Sequence, residues 1–290
     1  MSAPFSRNHL SIEGLLREAR RVFAQVPDAP GHAIPLVDYL MSGLALFGLK
    51  YPSLLQFEHD RQEVATRANL RTLYGVERAP CDTRFRERLD EVAPSDLGPL
   101  YQALFRQLQR GKGLEGFAYL DGHYLLSLDG TGYFSSKKVH CAQGAEKHHR
   151  DGTTTYYHQM LGAVLVHPDH REVLPLAPEP ILKPDGSAKN DCERNAAKRL
   201  LSELRRVHPH LKLIVVEDGL ASNAPHIRHL QALDLRFILG AKPRDHTFLF
   251  DWVAATAQTA EATFTTGRGS ATVSVTSTAR PSTRPTSTWR

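Results

Sequence analysis

Cysteine is scarce in this 290-residue chain: Cys81, Cys141 and Cys192 stand far apart and odd in number. That usage fits reduced thiols and excludes a disulfide-built scaffold. Long apolar runs are missing as well. The longest, Met41 to Leu49 and Leu211 to Val216, fall well short of the ~20 residues that cross a bilayer. The opening residues, MSAPFSRNHLSIEG, lack a charged head followed by an apolar core. They predict no secretory leader, no membrane partner and a cytoplasmic protein. What is present is ordinary globular composition, 41% hydrophobic and 23% charged, enough for a sizeable core in one large domain or two smaller ones.

A net charge of +5 invites a polyanionic partner, but its distribution weakens that argument. Residues 1–119 carry 15 Lys/Arg against 14 Asp/Glu, and residues 120–253 carry 17 against 16. The surplus lies after residue 253, where four arginines face one glutamate. Local clusters must carry any case for nucleic acid.

The first 118 residues read as a helical region. Ser11 can cap a segment through Leu15, Leu16, Ala19 and Phe23, and Pro35 can open a second through Leu36, Leu40, Leu44 and Phe47. Val64 to Tyr74 and Asp82 to Val92 add two more, with arginines at 67, 71, 84, 86 and 88. Such helices can grip phosphates or simply present a solvated face. From residue 119 the period changes. Tyr124 to Asp129, Tyr156 to His167, Glu172 to Leu176 and Leu211 to Glu217 are strand-like, and a helix with Ala197, Leu200, Leu201, Leu204 and Val207 on one face interrupts them. Asn190 with Glu193 three residues on reads as a capping box for that helix. Ala224 to Leu233 reads as another helix and Leu235 to Gly240 as another strand. The order places residues 119–253 in the α/β class.

Residues 254–290 form a third region. Between 262 and 290 there is no Asp, Glu, Leu, Ile or Lys, and Ser plus Thr supply 14 of 29 positions. This composition predicts a disordered tail. A genuine low-complexity segment and a frameshifted or truncated reading frame both explain it, and the abruptness of the change favours the second.

Two aspartates close apolar strands: Asp129 in LLSLDGTGYF and Asp218 in LKLIVVEDGLASN. A carboxylate at a strand end followed by glycine meets ligand at the sheet edge. Two on neighbouring strands make an all-oxygen site suited to magnesium or manganese. The competing reading is a pair of Asp-Gly turns. Glu217, next to Asp218, should face the other side of its strand. After Asp129 the chain turns basic at Lys137, Lys138, Lys147, His148, His149 and Arg150, either a phosphate-gripping segment or a solvated loop. Cys141 with His148 and His149 lacks the paired spacing of a zinc site. Neither Ser135, Ser136 nor any cysteine sits in a nucleophile elbow.

The stretches LDGTGYFSSKKVHC, DCERNAAKRLL and LIVVEDGLASNAPHI, with VDYLMSGLALFGLKYPSLLQFE upstream, resemble the DDE transposases of bacterial insertion sequences over roughly residues 30 to 252. The resemblance implies a ribonuclease H-like catalytic domain, a mixed sheet with flanking helices, behind a helical region that contacts DNA. Asp129 then matches the first catalytic aspartate and Asp218 the second, on the first and fourth strands, holding two Mg2+ or Mn2+ ions. The family's third carboxylate, a glutamate on a later helix, has no counterpart here. Asp234, Asp245, Asp251 and Glu261 do not stand in its motif, which agrees with a chain that leaves the family pattern near residue 253. Nuclease relatives of the fold place a glutamate on the first helix, which makes Glu193 a candidate additional acid beside its capping role.

The function implied is metal-dependent strand cleavage and strand transfer on DNA, with transposon ends and target as partners and a homo-oligomer on DNA left open. Lys137, Lys138, Lys147 and Arg150 are the expected phosphate contacts. The alternatives are a non-catalytic DNA-binding remnant, inactive for want of the third carboxylate, and a structure-selective nuclease of the same fold.

Overall fold

The computed structural model describes residues 9–183 and 191–255 and the backbone of 259–266 and 269–276. Helices come first, where apolar spacing and caps agree. In α1 (Ile12–Phe23) the Ser11 hydroxyl accepts the Gly14 amide at 3.1 Å, and Ala19, Val22 and Phe23 are buried. Helix α2 (Leu36–Gly48) is apolar nearly all round and runs through the helical core. Its start is fixed by Asp28, whose carboxylate accepts the Leu36 amide at 2.9 Å and pairs with buried Arg88. That amide holds the Asp28 carboxyl below the usual aspartate range against partial burial, with Arg88 adding to the effect.

Helices α3 (Leu54–Asp60), α4 (Val64–Thr72) and α5 (Asp82–Leu89) complete the bundle around Phe57, Leu70 and Phe85. Helix α6 (Gly98–Arg110) is not among the four helical segments expected from the first 118 residues, and Pro99 near its start could be taken for a helix breaker. Pro99 instead occupies the first turn, where the missing amide hydrogen costs nothing. This helix joins the two halves. Leu100 packs on the helical core, whereas Phe105 is buried in the sheet core with Leu114. The expected boundary at 118/119 therefore follows a helix that belongs to both sides.

The second half has the expected α/β form, a mixed seven-stranded sheet flanked by helices. Its strands are β1 (Tyr124–Ser136), β2 (Ala145–His148), β3 (Thr154–Val166), β4 (Leu174–Pro175), β5 (Glu179–Ile181), β6 (Leu213–Glu217) and β7 (Arg236–Leu239). The spatial order is β2-β3-β1-β6-β7, with β4 and β5 also pairing on β3. Strand β1 is antiparallel to β3 and parallel to β6, and β6 is parallel to β7. Helix α7 (Glu193–Val207) turns Ala196, Ala197, Leu200, Leu201 and Leu204 inward to the cluster formed by Leu126, Leu128, Leu161, Ala163 and Leu165. Helix α8 (Ala224–Ala232) connects β6 to β7, and α9 (Thr247–Ala255) follows.

Three features differ from expectation. Strand β1 runs seven residues past Asp129, because Thr131, Tyr133 and Phe134 favour strand, and Thr131 and Phe134 pair with β3 despite the intervening glycines. Helix α7 begins at Glu193 with Cys192 as its cap residue and no side-chain cap bond, so Glu193 is not the third residue of a capping box. Asn190 lies outside the described residues. Finally, the disorder expected after residue 254 does not describe 259–266 and 269–276. There β8 (Thr259–Thr266) and β9 (Gly269–Thr276) pair antiparallel in a sheet of their own. Threonine and valine are strand formers, and their abundance outweighs the lack of leucine and isoleucine. Residues 277–290 lie outside the description. Among the described residues no helix is long and apolar enough to cross a membrane.

Leu126 is fully buried near the start of β1, where it meets both the strands beside it and the helix above. Leu126→Ala should lower unfolding stability by about 2–5 kcal/mol, measured by chemical denaturation. A loss well below that range would mean that the first half of β1 is not the packed core of this sheet.

Candidate functional site

The pairing of β1 with β6 sets the site. Leu125 stands opposite Ile214 and Ser127 opposite Val216 in a parallel register. Two residues further along, that register carries Asp129 of β1 toward Asp218, which follows the end of the adjacent strand, and both line one recess. Asp218 follows the last residue of β6, and its Oδ1 accepts the Leu220 amide at 2.8 Å, closing a tight turn. The turn is held from β7, since the Gly240 amide donates to the Glu217 carbonyl at 3.0 Å. A side chain on Gly240 would come within 3.2 Å of the Gly219 nitrogen, so a larger residue there would have to push the two backbones slightly apart.

Glu193 enters from the first turn of α7. Asp129, Gly130, Glu193, Arg194, Glu217, Asp218 and His226 line one small recess between the sheet edge and the helix. A β-carbon on Gly130 would lie 2.1 Å from Glu193 Oε1, so the glutamate reaches in because β1 has no side chain there. Its carboxyl is pushed above its ordinary value of 4.5, first by burial and then by the charges of Asp129 and Asp218. Asp129, Glu193 and Asp218 thus share one electrostatic environment. Glu193 belongs to this recess, not to a cap.

Glu217 keeps the alternation of β6, in phase with Leu213 and Val215 on the face packed against α7. It lines the same recess, but its Oε2 is engaged by His226 Nε2 at 2.6 Å, with both side chains buried at 7% and 3% exposure. His226 lies in the first turn of α8, whose amide donates to the Asn223 cap at 3.1 Å. This pair buckles the Asp218 turn onto α8. The sequence reading misses His226, although its place three residues after an asparagine cap is visible in SNAPHI.

The basic residues lie elsewhere. Lys137 and Lys138 follow the end of β1, Lys147 is on β2, and Arg150 is in the turn before β3. At about 3.3 Å per residue the end of β1 is roughly 23 Å from Asp129. These cations sit on a ribbon beyond the carboxylates instead of around them. They are exposed, and none pairs with a carboxylate among the described residues. The zinc grouping dismissed above does not converge, because His148 Nδ1 contacts Thr154 at 3.0 Å, His149 Nε2 contacts Thr155 at 2.8 Å, and Cys141 Sγ contacts His158 Nε2 at 3.4 Å.

Three oxygen donors from β1, α7 and the end of β6 suit a hard divalent cation. Asp129 and Glu193 accept no hydrogen bond from the described residues, so their lone pairs are available. Among the described residues only His59, Asp60 and Glu63, at the turn between α3 and α4, bring three ligand atoms within 4.8 Å of one another. At least one pair among Asp129, Glu193 and Asp218 therefore stands further apart, as repelling anions do. The exposed His59 group has no feature that aims a ligand at it. Compared with family models and with curated proteins, the chain matches none.

The raised Glu193 carboxyl gives a stability test with a definite sign. A carboxyl whose folded value exceeds its unfolded one is ionised against the fold at neutral pH, so the native state gains stability as pH falls through the raised value. In metal-free buffer Glu193→Gln should therefore have a higher Tm than the parent at pH 7. The difference should vanish below the ordinary value of 4.5. Thermal melts of both proteins across that range check this, and a lower Tm for the variant at pH 7 would contradict it.

Proposed function

We propose that the protein is a metal-dependent phosphoryl transferase acting on DNA, of the transposase kind, cleaving a strand and joining the released end to target DNA. The observation that carries the reading is the meeting of Asp129, Glu193 and Asp218 in one recess at the edge of a mixed sheet. What supports a ribonuclease H-like identity is the strand arrangement, in which the strand bearing Asp129 is central, antiparallel on one side and parallel on the other. The sequence motifs around both aspartates support the same family.

Asp129 and Asp218 would hold the metals from two adjacent strand ends, and Glu193 would supply the third carboxylate from the first helix. Two Mg2+ or Mn2+ ions, when bound, supply activation of a water or a 3′ hydroxyl and neutralise charge at the phosphate. The chain's own part is positioning. Asp218 is fixed by its turn and by the Glu217–His226 pair, whereas Glu193 is free to draw in when charge repulsion is relieved. Arg194, at the mouth of the recess, has no carboxylate within ion-pairing distance among the described residues and can meet a phosphate oxygen in a forked contact. Lys137, Lys138, Lys147 and Arg150 would hold the strand further out, giving affinity without sequence preference.

A second reading, a hydrolytic nuclease of the same fold, is favoured specifically by the position of Glu193 on the first helix instead of a later one. The two differ in the fate of the cut end. Incubating the 290-residue protein with supercoiled plasmid, a labelled 3′-hydroxyl oligonucleotide and Mg2+ or Mn2+ should give nicked plasmid and plasmid-linked label. Asp129→Asn, Asp218→Asn and Glu193→Gln should each lower the rate at least ~100-fold. Nicking without linked label would replace the transferase by the nuclease. Retained DNA binding with no metal-dependent nicking would leave a non-catalytic remnant.

Gly130→Ala is a separate check on geometry. The added methyl group collides only with the flexible end of Glu193, so the Tm should change by no more than about 2–4 °C. Displacing the carboxylate should still weaken Mn2+ binding in calorimetry. Unchanged Mn2+ affinity would remove Glu193 from the ligand set.

A further inference from the structure

Past Asp129, β1 leaves β6 behind and continues as a ribbon with β3 and β2. The ladder slips between Gly132 and Phe134, leaving Tyr133 as an extra residue on β1. Such a bulge breaks the alternation of faces and re-aims a side chain. Here it lets two consecutive rings approach one partner. Tyr133 stacks on the His158 ring at 5.9 Å and 22°, and Phe134 meets the same ring at 5.7 Å. Nearby, the Ser136 hydroxyl accepts the amides of Lys138 and Val139 at 3.1 and 2.9 Å, folding the chain back. His140 then stacks on Tyr156 at 4.5 Å and 23°.

These rings are not core. Tyr133 is 58% exposed and Phe134 37%, and Val139 beside them is 64% exposed. The acids of the ribbon are already engaged. Glu146 pairs with Lys183 at 2.9 Å and lies 3.6 Å from His148, while the Asp151 carboxylate accepts from Thr153 within its turn. Lys137, Lys138, Lys147 and Arg150 are left with no carboxylate partner among the described residues. The ribbon therefore presents accessible ring faces beside four cations that no ion pair ties down among the described residues.

We propose that this ribbon is a stacking platform for unpaired DNA bases, Tyr133 and Phe134 taking the base faces and the four cations the phosphates. In a duplex the base faces cover one another and only edges are accessible, whereas in a single strand every base offers a face to an aromatic ring. The choice of DNA as the polyanion rests on the reading of function above, but the platform does not depend on the carboxylates. A strand opened or released near the recess is the occupant that fits its charge and its rings.

The test uses fluorescence anisotropy with the full chain in EDTA. Its probes are a labelled oligothymidylate of about 15 nucleotides and an abasic chain of the same length, which keeps the phosphates and removes the rings. The parent should bind the oligothymidylate at least ~10-fold more tightly than the abasic chain. Tyr133→Ser/Phe134→Ser should bind both equally, and alanines at Lys137, Lys138, Lys147 and Arg150 should weaken both. If the double variant fails to fold, Tyr133→Ala alone should lose part of the preference, since that ring is mostly exposed. Equal affinity of the parent for the two chains, no binding to either, or a preference that survives loss of the rings would overturn the proposal. So would tighter binding of oligouridylate than of oligothymidylate, which would make RNA the partner. Because divalent metal is absent, failure of plasmid nicking leaves this result standing, and a flat comparison here leaves the carboxylate reading standing.

Discussion

The parallel pairing of β1 with β6 is the constraint on which the site depends. It fixes which residues come level at the carboxyl end of the sheet, and a slip by one residue would turn Asp129 to the other face. The register is secured by burial. Leu126 and Leu128 of β1 and Leu213 and Val215 of β6 share one core with the inner face of α7, and any slip would put those side chains in water. The apolar core and the acidic recess are thus parts of one arrangement, with leucines holding the aspartates in place.

Against that packing works a local repulsion. The Glu193 carboxyl is pushed up by burial and by two aspartates, so the recess is a place where the fold gives up some stability. Such sites persist only when the surroundings determine them strongly, and they mark functional positions more often than chance allows. The surroundings here are specific. Gly130 leaves room for Glu193, Gly240 lets β7 support the Asp218 turn, and the Glu217–His226 pair ties that turn to α8. A recess that merely tolerated acids would need none of these.

Much of this was legible in the sequence. The Asp129 and Asp218 positions follow from apolar runs ending in Asp-Gly, and the α/β order follows from the change of period near residue 119. The Ser11 cap is found where the pattern places it. Glu193 carries two readings in the sequence, a candidate acid by resemblance and a capping residue by local motif, and the helical period favours the first. Glu193, Ala197, Leu200 and Leu204 fall at intervals of four, three and four on one helical stripe, which directs the glutamate toward the sheet. The length of β1 was hidden by Gly130 and Gly132, since glycines in a strand read as a turn until the partner strand is known. The β8–β9 hairpin was hidden by composition, which counts threonine as polar without registering its preference for extended backbone.

The long β1 also gives the molecule a ruler. Seven residues separate Asp129 from Ser136, or about 23 Å at strand spacing, whereas one strand of a stacked duplex advances about 3.4 Å along the helix axis per nucleotide and an unstacked strand advances further. On the proposed reading, an unpaired strand whose phosphate sits in the recess reaches the ribbon within a few nucleotides, fewer than the roughly seven that duplex rise would give. The ribbon is stiffened over much of this span, since β3 pairs with β1 on one edge and with β2 and β5 on the other. Distance between acid and base is then set by the ladder instead of by a loop. The acids are therefore kept clear of the cations that would neutralise them, and the cations stay free for phosphate. Had Lys137 and Lys138 stood beside Asp129, each group would have satisfied the other and neither would be available to a ligand.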